Sequence, residues 1–347
     1  MKQRLFRLLM IAALVVGPVG LTACGEDEEP AGGGAAATPA KKKVRVAMVT
    51  DIGGLNDRSF NALANAGLQR AKSDLGAEIR VVTSNKNADY VPNLSSLARQ
   101  KYDLIVAVGF LMAESTEKVA KSFPNVNFAI IDSQQALMKS KPKNVQGLLF
   151  KEQEAGYLAG YLSGLYVKEK GGDQVVSTVG GQKIPPVDHY IAGFQAGAKA
   201  ANPEIETLNG YSQDFVDQAR CKELALNQID EGSQVVFQVA GGCGLGALDA
   251  AKEKDVQGIG VDADQAYIGA QVMTSALKKI DNAVFETIKE VQAGQFKAGT
   301  DVVFDVKSGG VGLGKVSAAG QPFMADVQKI QDEITGGQLT DIPDTVK

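Results

Sequence analysis

The sequence predicts an α/β protein of two doubly wound lobes, each a mostly parallel sheet covered by helices. Three observations carry that prediction. From Val44 onward, short β-rich runs alternate with helical periodicity, and the runs are apolar nearly throughout, as strands buried on both faces are. The alternation restarts after residue 150, which gives two βαβ series in tandem. The chain beyond its first 23 residues has about 324 residues, more than one core usually fills.

The elements follow in order. "VRVAMVT" (44–50) is a short strand, and "SFNALANAGLQRAKSDLG" (59–76) repeats apolar residues at helical spacing until Gly76 stops it. "EIRVVTS" (78–84), "DLIVAVG" (103–109) and "NFAIID" (127–132) are further strands, with helices at "VPNLSSLARQ" (91–100) and "ESTEKVAKSF" (114–123) between them. The second series opens with a long helix, "EQEAGYLAGYLSGLYVKEK" (152–170), carrying Gly156, Gly160 and Gly164 on one stripe. Strands follow at 174–180, 204–211, 234–241 and 257–264, with helices at 189–202, 215–230 and 245–254. Lobe 1 is expected to take 44–150 plus about 272–300, and lobe 2 to take 151–271 plus about 301–347.

Ligands of open α/β sheets bind outside the carboxyl ends of the strands. Here those ends read Thr50-Asp51, Gly109-Phe110, Ile131-Asp132, Gly180-Gly181, Ala240-Gly241-Gly242 and Val261-Asp262. Carboxylates at three of them, spread over both lobes, converge on one cleft if the lobes face each other. "VTDIGGLNDRSFN" (49–61) adds Asn56, Asp57, Ser59 and Phe60 at the mouth of a helix; the alternatives are that Asp51 and Asn56 only cap that helix and that Phe60 points into the lobe core.

The N-terminus reads as an export signal. Lys2, Arg4 and Arg7 precede a fourteen-residue apolar run, Leu8 to Leu21, which Pro18 interrupts and which is too short to span a bilayer. "LTAC" (21–24) resembles the lipobox of bacterial lipoproteins, so residues 1–23 are expected to be a signal peptide and Cys24 the acylated residue. The alternative is an ordinary signal peptide with a chance cysteine. Residues 24–43, rich in Gly, Ala, Pro and charge, read as a flexible tether. The expected location is the extracytoplasmic face of the cell membrane, held by lipid alone.

Charge excludes one class. Without Lys2, Arg4 and Arg7, the 36 basic residues become 33 against 40 acidic, a net charge of −7 that disfavours nucleic-acid binding. The single histidine, His189, leaves no metal-ligand spacing and reads as structural, near a helix start. No metal, cofactor or catalytic residue is expected. "GGVGLGK" (309–315) imitates a phosphate loop, but Val316 stands where a hydroxyl belongs and no helix follows. Cys221 and Cys243 are either a disulfide, which persists outside the cytoplasm, or two small buried thiols.

Eight stretches, including "VTDIGGLNDRSFN" (49–61), "DLIVAVGFLM" (103–112), "KEQEAGYLAGYLSG" (151–164), "GIGVDADQ" (258–265) and "VMTSALKKID" (272–281), carry a resemblance. From Val44 to about Leu313 the chain resembles the basic membrane protein family of ABC-transporter substrate-binding lipoproteins, the purine-nucleoside receptor type. The resemblance implies a type I periplasmic-binding-protein fold, two lobes joined by hinge crossovers. It also implies a purine held between Phe60 and Phe215, with Asp132 on the base. Asp262, a backbone group near Gly241 or Gly242, and Lys278 take the ribose, and Asp51, Asn56 and Asp57 complete the mouth. The family usually has glycine at the position of Cys221 and a small hydroxyl residue at that of Cys243, a departure within the ligand turn.

These residue types suit a nucleoside on physical grounds. Aromatic faces stack on a base for about 1–3 kcal/mol, and carboxylates accept from amino and hydroxyl groups while repelling a phosphate. The expected function is a monomeric solute-binding lipoprotein of an ABC importer, with a permease as partner. The alternatives are a receptor for an autoinducer, sugar or other metabolite, a surface sensor or adhesin on the same fold, and, third, a nucleoside hydrolase.

Overall fold

A computed structural model describes residues 43–346; the expected signal peptide, Cys24 and nearly all of the expected tether lie outside the described residues. The first sheet contains β1 (Arg45–Val49), β2 (Glu78–Val82), β3 (Leu104–Ala107), β4 (Asn127–Ile131) and β5 (Val145–Phe150). Their order is β5-β4-β3-β1-β2, with β11 (Asp301–Phe304) beyond β5 and every pairing parallel. The second sheet repeats the plan with β6 (Val175–Gly180), β7 (Glu206–Tyr211), β8 (Ser233–Val239), β9 (Gln257–Asp262) and β10 (Val272–Lys278). Its order is β10-β9-β8-β6-β7, and β12 (Val311–Leu313) lies antiparallel beyond β10. Strand β3 is buried along its whole length, which is why its sequence is apolar without alternation; β8 is equally buried but carries Ser233, Gln234 and Gln238.

Helices close both faces of each sheet. On the first, α1 (Phe60–Leu75) packs with α8 (Ile280–Gln292), and α2 (Tyr90–Arg99) packs with α3 (Ala113–Ser122). On the second, α4 (Glu152–Lys170) packs with α5 (Pro185–Ala201), and α6 (Gln218–Asp230) with α7 (Gly244–Glu253). The C-terminal α9 (Met324–Gly336) lies on α4. The α4–α5 contact is unusually close, since a Cβ at Gly160 would overlap the Phe194 backbone.

The chain passes between the lobes three times, at β5 to α4, at β10 to α8 and at β11 to β12. Lys151 and Glu154, 3.1 Å apart, lie at the first crossing, and Glu154 accepts the Val306 N–H of the third at 2.8 Å. The lobe limits expected from sequence therefore need correction. Residues 272–278 form β10 of lobe 2, and residues 301–304 form β11 of lobe 1. Neither β5 nor β10 is marked as a strand by its sequence pattern, which is why the expected crossings are misplaced.

Two local corrections also apply. The helix expected from 215 begins at Gln218, where Asp217 caps it by accepting the Ala219 N–H at 3.0 Å; Phe215 is thereby left in the loop. Helix α5 begins at Pro185, four residues early, because two prolines suit a first helical turn. Cys221 of α6 and Cys243 at the head of α7 are joined as a disulfide, their Cα atoms 5.6 Å apart. Around residues 309–315 the chain forms β12 rather than a helix start.

Candidate functional site

In the strand order β2-β1-β3-β4-β5 the sheet reverses between β1 and β3, and this switch point is where an open α/β sheet leaves a crevice. The second sheet reverses at the equivalent place, between β6 and β8. The two crevices share one cavity, lined by residues of both lobes, which is where ligands of such sheets bind. Lobe 1 contributes Asp51, Asp57, Phe60, Gly109 and Asp132 to its lining, and lobe 2 contributes Tyr190, Phe215, Gly241, Asp262 and Lys278, among others.

Each wall has a local cause. Phe60 opens α1 and, half-buried, lines the cavity beside Gly109 while its inner side packs on the lobe core. Phe215 lies over Gly181, where a Cβ would overlap its ring, and its carbonyl accepts the Cys243 N–H at 3.0 Å. The turn Gly241–Gly242 and the Phe215 loop thus form one unit, which the disulfide fastens.

The carboxylates divide by task. Asp57 is 3% exposed and caps α1, accepting the N–H groups of Ser59, Asn61 and Ala62 at 3.1, 2.7 and 3.0 Å. Asp51 accepts from Gly53 N–H at 2.9 Å and Asn61 Nδ2 at 2.7 Å through Oδ1, while Oδ2 lies beside Gly109. Asp132 and Asp262 stand at equivalent strand ends in the two sheets, both in the left-handed region at φ 66° and 60°. Asp262 accepts from Ser59 Oγ across the cleft at 2.8 Å and from the Tyr190 hydroxyl at 3.3 Å. Asp132 meets Lys278 from the other lobe at 2.6 Å.

Lys278 is 1% exposed at the end of β10, so it is a cleft residue and not a solvated lysine at a helix start. It also contacts Glu152 at 2.8 Å, and its ammonium lies 5.2 Å from the centre of the Phe60 ring. Asn56 is corrected: it is exposed and lines a separate groove with Arg58, Gln218 and Lys222, because Asp57 beside it turns inward to cap the helix. Sequence reasoning did not assign Asn61, Tyr190 or Glu152 to the site. Asn61 and Tyr190 read as ordinary helix positions, and Glu152 as a first-turn acid suited to the helix dipole.

Burial sets the electrostatics. It pushes Asp51 up to about 6, against the hydrogen bonds from Asn61 and Gly53. It raises Asp132 to about 7, with Lys278 pulling down and Glu152 pushing up. Asp57 and Asp262 are raised by burial as well. Burial would also raise Glu152, but Lys278 and His189 outweigh it and hold that carboxyl below its usual range. Burial opposes the charge on Lys278, yet Asp132, Glu152 and Asp262 together keep its pKa above that of an ordinary lysine. The cavity is therefore rich in acceptors and walled by four aromatics, Phe60, Phe110, Tyr190 and Phe215, and the one cation in its lining is already paired.

Two hinged α/β lobes around such a cavity define a solute-binding protein. The chain belongs to the Bmp family, the PnrA-like substrate-binding proteins of ABC transporters, which matches residues 44–338; these are binding proteins and not enzymes. It is similar to an ABC transporter nucleoside-binding protein, BmpA, of Lactococcus lactis, 32% identical over 96% of this chain and 98% of that one. An uncharacterized lipoprotein of Pyrococcus abyssi is 34% identical over 87% of this chain and 77% of its own. Among solved structures, an ABC transporter solute-binding protein from Aeropyrum pernix matches with a TM-score of 0.78 at 28% identity, covering 86% of this chain and 94% of that one.

Proposed function

We propose that this protein is a receptor for purine nucleosides, which it delivers to an ABC permease. The observation that carries the reading is the pair Phe60 and Phe215, one from each lobe, walling a single cavity whose rim is carboxylate. A purine base between two rings gains stacking on both faces. Asp132 accepts from the base, and Asp262 accepts from ribose hydroxyls in place of Ser59. Lys278 and the backbone of Gly241 or Gly242 complete the sugar site, and Asp51 closes the mouth. Asp57 shapes this wall by fixing α1, and Asn56 takes no part.

A ligand touching both lobes biases them toward closure about the three crossings. A phosphate would meet Asp51, Asp132 and Asp262 with only a committed lysine in reach, so monophosphates are rejected. The nucleoside-binding relative from Lactococcus supports the ligand class. The lipobox and the lipoprotein relative from Pyrococcus support a tether through Cys24 at the outer face of the cell membrane. Among the described residues no helix is long and apolar enough to cross a membrane.

The test is a thermal-shift and calorimetry screen of the domain from about Lys41, stripped of ligand by unfolding and refolding. Adenosine, guanosine and inosine are compared with free bases, monophosphates and sugars. A ligand at a hundred times its Kd adds about 2.7 kcal/mol of stability. A shift with a nucleoside and none with its monophosphate is expected; no shift with any nucleoside refutes the reading.

A further inference from the structure

Glu152 and His189 do not line the cavity between Phe60 and Phe215, yet one side chain joins them to it. Lys278 sits 2.8 Å from one carboxylate oxygen of Glu152, and the other oxygen lies 3.0 Å from His189 Nδ1. Glu152 is 2% exposed, so it has no solvent to share its charge. The three residues form a line from a half-exposed imidazole, in a neighbouring groove beside Phe110 and Asp344, to an ammonium inside the cleft.

A lysine stem is flexible and its charge has no inherent direction. An ammonium has three N–H groups. Here Asp132 and Glu152 hold the ammonium from two sides, which fixes where the remaining N–H points. Asp132 belongs to lobe 1, whereas Glu152 heads α4 immediately after the first crossing. With Glu152 gone, Lys278 keeps only its pairing across the cleft and swings with the other lobe. His189 in turn occupies the oxygen of Glu152 that Lys278 does not use, which keeps that carboxylate from rotating.

We propose that Glu152 and His189 are positioning residues of the ligand site, which aim the Lys278 ammonium into the cleft and act on the ligand only through it. The choice of probe rests on the nucleoside reading; the network itself does not. His189 is the only histidine in the chain, so its ring signal in an NMR titration needs no assignment. The charges acting on it are Glu152, Asp344 and Lys278.

The experiment follows that signal in the wild type, Glu152→Gln and Lys278→Met, without ligand and with saturating inosine, adenosine or guanosine. Without ligand, Glu152→Gln should lower the His189 midpoint and Lys278→Met should raise it. Either failing overturns the network whether or not a nucleoside binds. With ligand, the wild-type midpoint should move and that of Glu152→Gln should not; an unmoved wild-type signal at saturation overturns the proposal and needs no variant to fold. Calorimetry supplies the second arm. Glu152→Gln should weaken binding about tenfold or more, the loss of one charge-assisted contact. Added to Lys278→Met it should change affinity by less than about twofold, because it has nothing left to act through. Losses that multiply would overturn the proposal. Absence of nucleoside binding in the wild type would sink the ligand reading and leave the ligand-free titrations to decide the network.

Discussion

Asp51→Asn should make the unliganded protein more stable at neutral pH while spoiling its ligand site. The amide is isosteric, and its oxygen can still accept from Gly53 N–H and Asn61 Nδ2. What it removes is an ionised carboxylate that burial disfavours. Moving the pKa from 3.8 to about 6 corresponds to about 3 kcal/mol, an upper bound because Asp51 keeps some exposure toward the cleft. The sign follows from proton uptake. Between pH 3.8 and about 6 the folded state holds the proton that the unfolded state has released, so stability is full below that range and falls as pH rises through it. Urea unfolding of the ligand-free domain at about pH 4 and about pH 7.5 checks this. The variant should match the wild type at the lower pH and exceed it at the higher by up to about 3 kcal/mol, or on the order of 5 °C in Tm. A variant less stable than the wild type at both values would mean that the carboxylate holds its loop together, and the desolvation argument would fail.

Asp262→Asn, which keeps the left-handed backbone, should weaken nucleoside binding about tenfold or more and leave the circular dichroism spectrum unchanged; calorimetry showing affinity within about twofold of wild type would remove the ribose role of the carboxylate. Gly181→Ala places a methyl group against the Phe215 ring and should cost about 1–3 kcal/mol of binding through lost stacking, read as a fall in affinity with little change in thermal stability. Replacing Cys221 and Cys243 together with serine opens a link across a sequence separation of 22 and should lower unfolding free energy by about 3 kcal/mol, measured by denaturant titration. Because both sulfurs are held in the disulfide, mass spectrometry should find neither cysteine labelled by iodoacetamide even after unfolding without reductant, and two labelled thiols would refute the bond.

Much of the architecture was legible because buried parallel strands announce themselves as continuous apolar runs. Strands β1, β3, β4 and β9 are mostly of that kind, and Asp51, Asp132 and Asp262 stand at or just past the ends of β1, β4 and β9. Strands β5 and β10 were not legible. "VQGLLF" and "VMTSALK" carry polar residues inside and run directly into helices of the opposite lobe, so nothing local marks them as crossings. The lobe limits failed there for the same reason. The site was legible where a residue type is rare in its setting, as an acid is at the end of an apolar strand. It was illegible where the type is ordinary. An acid in a first helical turn, such as Glu152, is usually solvated, and only the return of β10 past it leaves it buried against Lys278. Asn56 failed because adjacent loop residues face opposite ways and spacing does not say which way each faces.

Asp132 and Asp262 both hold left-handed backbone, and this restricts how the protein can change. Glycine, asparagine and aspartate enter that region most readily, and the longer residues that hold it here, Arg58, Lys101, Lys141 and Gln213, are all exposed. A drifting gene can therefore try a carboxylate, an amide or no side chain at these two rims. Branched or bulky replacements would strain the turn before they ever met a ligand. New specificity in descendants of this chain would then have to arise at Phe60, Phe215 and the loops around them, where the backbone of either aromatic has ordinary freedom.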